Sequence, residues 1–506
     1  MGADLTRVPV IAGAGQWTNR IEDPRAAPDP LAMMETVARA AADSARWRDG
    51  PAGLTHCWMV HSLSLRHGDP ATELAQRLGA SHAEARCSGM GGSIPQWLVD
   101  RAADLVAAGE RPRVLVVGAE ALATRRRAKK ADVRLDWPSA PGWPDTWPPI
   151  ARDLGVHPVE RAHGLEQATT MYALIESALA HAEGHDLDTH RRAMGELMAG
   201  LNAVAVSNPH SWFHDRRDAA ELTTVTDDNR MICHPYPKYL NAVMDVDMAA
   251  AVVVTDAATA REWGLGPDEV AYVAGWADAK EVWHLSARPS VHESPALAAC
   301  AASALGRACL RAGELDGFDL YACFPSSVEV AARALAAGAG TDTRPLTLTG
   351  GLPYHGGPGS NYVTHALANT LEWLRAGRGA AALVHGNGFY LTTHSVGVYH
   401  AEPPAEAPLP DDGLQARLDA GAHTLRVDDT IEGAATVVAA TVPYERDGRP
   451  GTGIVLVEAE GRRTVACADT ELTAALVSTD PVGTAVRVRA GGEPGEGRPG
   501  NVATVD

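Results

Sequence analysis

The sequence predicts an α/β fold made of two copies of one βα unit, separated by an inserted segment and followed by a small all-β domain. Three observations point there. Two distant segments share the order glycine-rich turn, helix, Ala-Gly, apolar strand. A proline-rich, acidic stretch, Glu402-Pro403-Pro404-Ala405-Glu406-Ala407-Pro408-Leu409-Pro410, excludes regular structure and reads as a linker. Beyond it the apolar runs are short and β-rich.

In the first copy the turn is Ser88-Gly89-Met90-Gly91-Gly92-Ser93, just after Cys87. Ile94, Trp97, Leu98, Leu105 and Val106 then share a face at helical spacing, Gly109 stops the helix, and Val114-Leu115-Val116-Val117-Gly118 follows as a strand. In the second copy the turn runs from Gly350 to Gly359, the helix carries Leu367, Leu371 and Leu374, and the strand Ala380–Val384 comes after Ala376-Gly377. Between the copies, Thr124 to Arg230 holds proline and tryptophan clusters (Trp137, Trp143, Trp147), then helical periodicity through Ala162–Glu183 and Arg191–Val206, as in a loop or cap domain. Met248–Val254, after Asp245-Val246-Asp247, reads as a buried central strand. Ala434–Val442 and Gly453–Glu458 flank the turn Arg446 to Gly451 as a hairpin, and Gly491 to Asp506 reads as a loose tail. The expected divisions are 1–123 and 236–400 for the duplicated body, 124–235 for the insert, and 411–506 for the β-domain.

Composition narrows the function. At 45% hydrophobic over 506 residues the chain can bury full cores. A net charge of -19, from 44 basic and 63 acidic residues, repels phosphate backbones and anionic lipid, so no nucleic-acid partner is expected. No apolar run approaches the roughly 18 to 20 residues of a membrane span. The N-terminus lacks the basic and apolar regions of a secretory signal and formally fits a myristoylation pattern; the expected location is cytoplasmic. Seven cysteines, an odd number without a C-x-x-C pair, argue against a disulfide framework and a zinc knuckle. His210, His214 and His234 lack the tight spacing of a metal site, so no catalytic metal is expected. Gly89-Met90-Gly91-Gly92 does not make a dinucleotide fingerprint.

Four motifs in order resemble the thiolase superfamily, over roughly residues 8 to 400. Ala107-Ala108-Gly109 through Gly118-Ala119-Glu120 is similar to the segment after the helix that carries the thiolase nucleophile. Asp319-Leu320-Tyr321-Ala322-Cys323-Phe324 is similar to the N-E-A-F or H-D-C-F motif. The turn from Gly350 to Gly359 resembles the one holding the catalytic histidine, and Leu383-Val384-His385-Gly386-Asn387-Gly388 resembles the C-x-G-G-G loop. The pattern is closest to actinobacterial thiolase-like proteins of type 1, which append a small β-domain. The resemblance implies a duplicated αβαβα body with an inserted loop domain and an OB-like C-terminal domain.

At the reacting positions the chain departs from thiolases. Family spacing, counted back from Glu120, puts the nucleophile position on Gly92, beside Ser93, and the second cysteine position on Val384. Cys87 lies outside the expected helix start and reads as a buried small hydrophobe; Cys323 matches the H-D-C-F cysteine and reads as packing. The resemblance assigns His355 to the oxyanion hole, where it donates to the thioester oxygen, and Tyr321 to the position of the water-holding residue. A phenol there donates a proton, or else plugs the space. His385, one residue out of register, is a proton shuttle or a hydrogen-bonded loop histidine.

For the cofactor side, Arg125, Arg126, Arg127, Lys129 and Lys130 form the one strong basic cluster and are the candidates for coenzyme A phosphates, with a solvated loop as the other reading. Gly356 and Gly357 lie in the glycine-rich turn where ligand atoms can approach. No tightly bound cofactor is expected; coenzyme A enters as part of the substrate. The implied function is acyltransferase or retro-aldolase chemistry on an acyl-CoA or related thioester without a cysteine nucleophile. Thiolase-like steroid aldolases, which work with a separate partner containing an OB-like domain, are the analogy. The other reading is a degenerate homologue that binds CoA esters or a partner enzyme. A homodimer through the body, or a partner enzyme, completes the expectation.

Overall fold

In the computed structural model, which describes residues 4–338, 342–409, 411–429, 431–491 and 500–505, the two βα units share one nine-stranded sheet. The first half runs β1 (Pro9–Thr18), α1 (Pro30–Ser44), β2 (His56–Met59), α2 (Pro70–Arg77), β3 (Glu84–Cys87), α3 (Ile94–Ala107), β4 (Val114–Ala121) and α4 (Leu122–Lys130). The insert adds α5 (Pro158–Ala162), α6 (Ala168–Ala182), α7 (Leu187–Ser207), α8 (Ala219–Thr223) and the short strands β5 (Met231–His234) and β6 (Tyr236–Pro237). Strand β7 (Asp247–Asp256) returns to the sheet, followed by α9 (Ala257–Glu262). The second half runs β8 (Ala271–Lys280), α10 (Pro295–Arg307), β9 (Gly317–Asp319), α11 (Pro325–Ala334), α12 (Tyr362–Arg375), β10 (Ala381–Gly388) and β11 (Thr393–His400).

The duplication is visible in the strand order β3-β2-β4-β7-β1-β8-β11-β10-β9. Each half repeats the same pairings outward from the antiparallel β1–β8 junction, and β2–β4 matches β9–β10 as the parallel pair. The outermost place in the second half is taken by plain backbone: Phe318 N–H donates to Pro345 O and Leu320 N–H to Leu346 O. Helices α3 and α12 pack on each other inside, with α1 and α10 outside, which gives five layers. Strand β7 is apolar along most of its length because helices cover both its faces, and every residue of it is buried. Helix α3 starts with Pro95 in its first turn and ends before Gly109, whose φ of 92° suits the left-handed region. Helix α7 begins at Leu187, earlier than its apolar periodicity alone predicts, because the Asp186 carboxylate accepts from Thr189 N.

After the linker come α13 (Leu414–Gly421), β12 (Arg426–Val427), β13 (Gly433–Pro443), β14 (Ile454–Ala459), β15 (Arg462–Ala468), α14 (Thr470–Leu476), β16 (Ala485–Arg489) and β17 (Val502–Val505). The ring β13–β14–β15–β17–β16–β13 closes with β15–β17 as its one parallel contact, the strand order of an OB-fold, with α14 between the third and fourth strands. Part of the expected loose tail is therefore structural: Val502–Val505 closes the barrel through β15 and β16, while 492–499 and 506 lie outside the described residues, as do Met1-Gly2-Ala3 and Pro410.

The barrel is continuous with the insert. Strand β5 extends β13 at Val442↔His234 and Pro443↔Cys233, and Ala440 N–H donates to Ser177 Oγ on α6. Arg463 donates to the carbonyls of Arg288 and Pro289, and Asn501 N–H to His163 Nε2. No helix among the described residues is long and apolar enough to cross a membrane.

Candidate functional site

The loop after β3, the start of α3, the turn before α12 and the end of β10 converge inside the body. Gly91 N–H donates to Ser360 Oγ at 3.0 Å, tying the two helix starts together. A Cβ on Gly386 would stand 2.8 Å from Ser93 Cα, so β10 reaches α3 only because a side chain is absent there. Ser93 Oγ is bonded to Thr393 Oγ1 at 2.9 Å, with no base beside it.

At Gly92 the missing side chain is replaced from elsewhere. A Cβ built there would meet Tyr321 Cζ and Oη at 2.3 Å. Tyr321 is 8% exposed, its hydroxyl has no hydrogen-bond partner among the described residues, and burial pushes its pKa up, so the phenol is protonated at neutral pH. Its ring meets Tyr362 edge-on, with centroids 5.7 Å apart, and its carbonyl accepts from Ser327 Oγ at 2.6 Å. Cys87 and Cys323 are both buried, and desolvation pushes each thiol up to about 12.

His355 also meets Tyr362 edge-on, with ring centroids 5.9 Å apart, and is fully buried. Its tautomer follows from its neighbours. Asn208 accepts from His210 N–H and donates to Thr349 O, which fixes its amide orientation, so only its NH2 faces His355 Nδ1, at 3.5 Å. Ser211 Oγ stands 3.2 Å from the same nitrogen. Nδ1 is thus the acceptor and Nε2 carries the proton, without a partner among the described residues and shielded from solvent. Burial lowers the pKa to about 3, so the ring is a neutral donor at neutral pH. An unpaired buried N–H is costly unless a ligand oxygen accepts from it.

His385 is not brought to this site. Successive residues of β10 face opposite sides, and Gly386 faces Ser93, so His385 lies on the other face. There its Nε2 pairs with His394 Nδ1 at 3.1 Å, and His394 Nε2 with Ser294 Oγ at 3.0 Å. Burial lowers its pKa to about 3.

The basic cluster is a helix and not a solvated loop. On α4, Arg127 pairs with buried Asp247 at 2.6 Å, Arg126 with Asp245 at 3.2 Å, and Arg125 donates to the carbonyls of Leu63 and Ser64 at 3.3 Å. The cations of this helix without an ion pair among the described residues are therefore Arg125, which keeps its charge against neutral carbonyls, and the exposed Lys129 and Lys130. Gly356 and Gly357 are buried, and Gly357 N–H donates to Val243 O at 2.8 Å; that amide is not free for a cofactor.

Sequence reasoning missed Ser211, Asn208 and Tyr362, which orient the site. No local signal marks the first two, since they reach His355 from the insert. It also missed a cavity of about 370 Å³ at the ends of β2 and β3, lined by His61, Arg66, Cys87 and Trp143.

Residues 413–493 match the family described as thiolase-like protein type 1 additional C-terminal domain. A monomeric SCP2-thiolase like protein type 1 (STLP1) from Mycobacterium smegmatis is 31% identical over 100% of both chains, with a TM-score of 0.83. The Ltp2-ChsH2(DUF35) aldolase is similar over 79% of this chain and 99% of that one, at 18% identity and a TM-score of 0.59. Human mitochondrial 3-ketoacyl-CoA thiolase in complex with CoA is similar over 79% and 99%, at 13% identity and a TM-score of 0.52. These last two likenesses are of fold. No curated protein matches the chain.

Proposed function

Because the chain belongs to the SCP2-thiolase-like proteins of type 1, we propose that it makes or breaks a carbon–carbon bond in an acyl-CoA or related thioester without an acyl-enzyme. The observation that carries this reading is the Tyr321 phenol in the space of the Gly92 side chain. With no nucleophile there, the remaining chemistry is proton transfer around an enolate. In the cleavage direction the β-hydroxyl passes its proton to the Tyr321 oxygen, which has first released its own proton to solvent, the Cα–Cβ bond breaks to leave a carbonyl, and its electron pair passes to the thioester as an enolate. His355 Nε2–H stabilises that oxygen, and the enolate carbon then takes up a proton from solvent. In the reverse direction Tyr321, protonated at rest, delivers its proton to the forming alkoxide. Likeness in fold to a thiolase-like aldolase supports this reading, with the fused barrel in the place of a separate partner.

Coenzyme A is held as part of the substrate, with Lys129 and Lys130 as the exposed cations and the cavity lined by His61, Arg66 and Trp143 as the vestibule. Trp147 N–H donates to Cys87 O at the open edge of β3, which supports a chain that acts alone over a body-mediated homodimer.

One observation favours a second reading: His355 is fully buried, as in a degenerate protein that binds CoA esters without turnover. Turnover assays with β-hydroxyacyl-CoA and β-ketoacyl-CoA panels separate the two, since the enzyme reading requires products that disappear in Tyr321→Phe.

A further inference from the structure

Away from the thiolase-like site, three helices bring metal-ligating side chains together in the interior. Glu176 on α6 is fully buried and His190 on α7 is 3% exposed. Their Oε1 and Nε2 atoms lie 2.5 Å apart. Glu329 on α11 completes the group, and one ligand atom from each of the three lies within 4.8 Å of the others. Two carboxyl groups this close repel when both are ionised, so without a metal a shared proton or a protonated His190 must offset their charge. Glu329 Oε2 is shut off from solvent and meets no hydrogen-bond donor among the described residues.

The surroundings are built to orient these groups. Tyr236 Oη donates to Glu176 Oε2 and stands 2.8 Å from Ser326 Oγ. His190 Nδ1 faces His185 Nδ1 at 3.5 Å, and His185 pairs with Glu183, which Arg333 holds at 2.9 Å. A cavity of about 450 Å³ between the helical insert and the barrel reaches Glu176 and His190 and leaves room for a fourth ligand.

We propose that Glu176, His190 and Glu329 bind a divalent transition-metal ion of the zinc type where α6, α7 and α11 meet. One imidazole and two carboxylates with an open position is a donor set that suits such an ion. Around tetrahedral zinc the ligand atoms stand roughly 3.3 Å apart, so the His190–Glu176 contact opens by less than about 1 Å. The imidazole proton then resides on Nδ1, and the proton shared by the carboxyl groups leaves to solvent. The ion would tie the insert to the second half of the body beside the barrel.

The test uses the full chain, stripped with a chelator, dialysed and titrated with Co2+ as a spectroscopic probe for zinc. One equivalent should bind with the absorption of a four- or five-coordinate ion, and Zn2+ should displace it. His190→Gln and Glu176→Gln should each weaken binding by more than about 100-fold, and His185→Ala by about 10-fold to 100-fold. Glu329→Gln, at the least buried ligand, gives the same reading should the other variants fail to fold by circular dichroism. Absence of saturable Co2+ binding by the stripped wild-type chain overturns the proposal. So does binding that survives His190→Gln but is lost in His185→Ala.

Discussion

The Tyr321 hydroxyl stands where a side chain on Gly92 would begin, with Oη 2.3 Å from the position of the absent Cβ. Residue 92 and residue 321 thus exclude one another's bulk, and the glycine is the condition for the phenol's placement.

That exclusion predicts a stability coupling. Gly92→Ala should cost about 1–3 kcal/mol, the usual range for overpacking a core, because the Tyr321 ring is held on its other side by Tyr362. In a Tyr321→Ala background the same change should cost less than about 0.5 kcal/mol. Urea denaturation of the four proteins measures the cycle, and a coupling near zero would show that the two positions do not share space.

The buried histidines set a pH dependence. His355 and His385 are held at about 3, against an ordinary 6.5, because burial disfavours the charged ring. Between those values the unfolded chain binds more protons, so this stability rises with pH and is lost on acidification below about 6.5. Asp319, pushed up to about 6 by burial, acts in the opposite sense, since the fold keeps its proton where the unfolded chain releases it. His385→Gln should therefore flatten the slope between about pH 4 and 6 by up to about 1.4 kcal/mol per pH unit. An unchanged slope would mean that His385 titrates normally in the fold.

On α4 the two kinds of cation should separate. Arg127→Ala leaves Asp247, whose side chain is fully buried, without its ion pair, and should cost roughly 2–4 kcal/mol. Neutralising Lys129 and Lys130 should change stability by less than about 0.5 kcal/mol while weakening coenzyme A binding and flattening its salt dependence. Calorimetric titration at two ionic strengths decides; unaltered affinity at low salt moves the phosphate site elsewhere.

Cleavage in the linker near Glu402 should leave the pieces associated. Strand β13 continues into β5, and Arg463 is buried against the carbonyls of Arg288 and Pro289. Nicked protein should elute at the size of the intact chain without denaturant. A barrel that elutes separately would show that these contacts do not hold it.

The duplicated body was legible because both copies keep helical and strand periodicity intact: Ile94 to Val106 and Leu367 to Leu374 fall in α3 and α12 as expected. The barrel's last strand was not, since glycine and proline dominate the residues before Val502–Val505 and hide so short a segment. In the site, the absences at Gly92 and Val384 could be counted along the chain, whereas the burial of Tyr321 and the donors around His355 arise from residues far apart in sequence. For the basic run Arg125–Lys130, charge clustering cannot reveal that Asp245 and Asp247 lie beside it and pair with Arg126 and Arg127. Glu176 did leave a trace, a carboxylate on the apolar face formed by Tyr172, Ile175 and Leu179.

The most direct test of the cysteine-free mechanism is turnover of a β-hydroxyacyl-CoA by wild type, thiol-blocked wild type, Tyr321→Phe and His355→Ala, with intact-mass analysis of the protein during turnover. The phenol and the imidazole should each be essential, with losses of about 100-fold to 10,000-fold for Tyr321→Phe and about 100-fold to 1000-fold for His355→Ala, while thiol blocking leaves the rate intact. An acyl group trapped on Cys87 or Cys323, together with full activity in Tyr321→Phe, would contradict the account and restore a displaced thiol nucleophile.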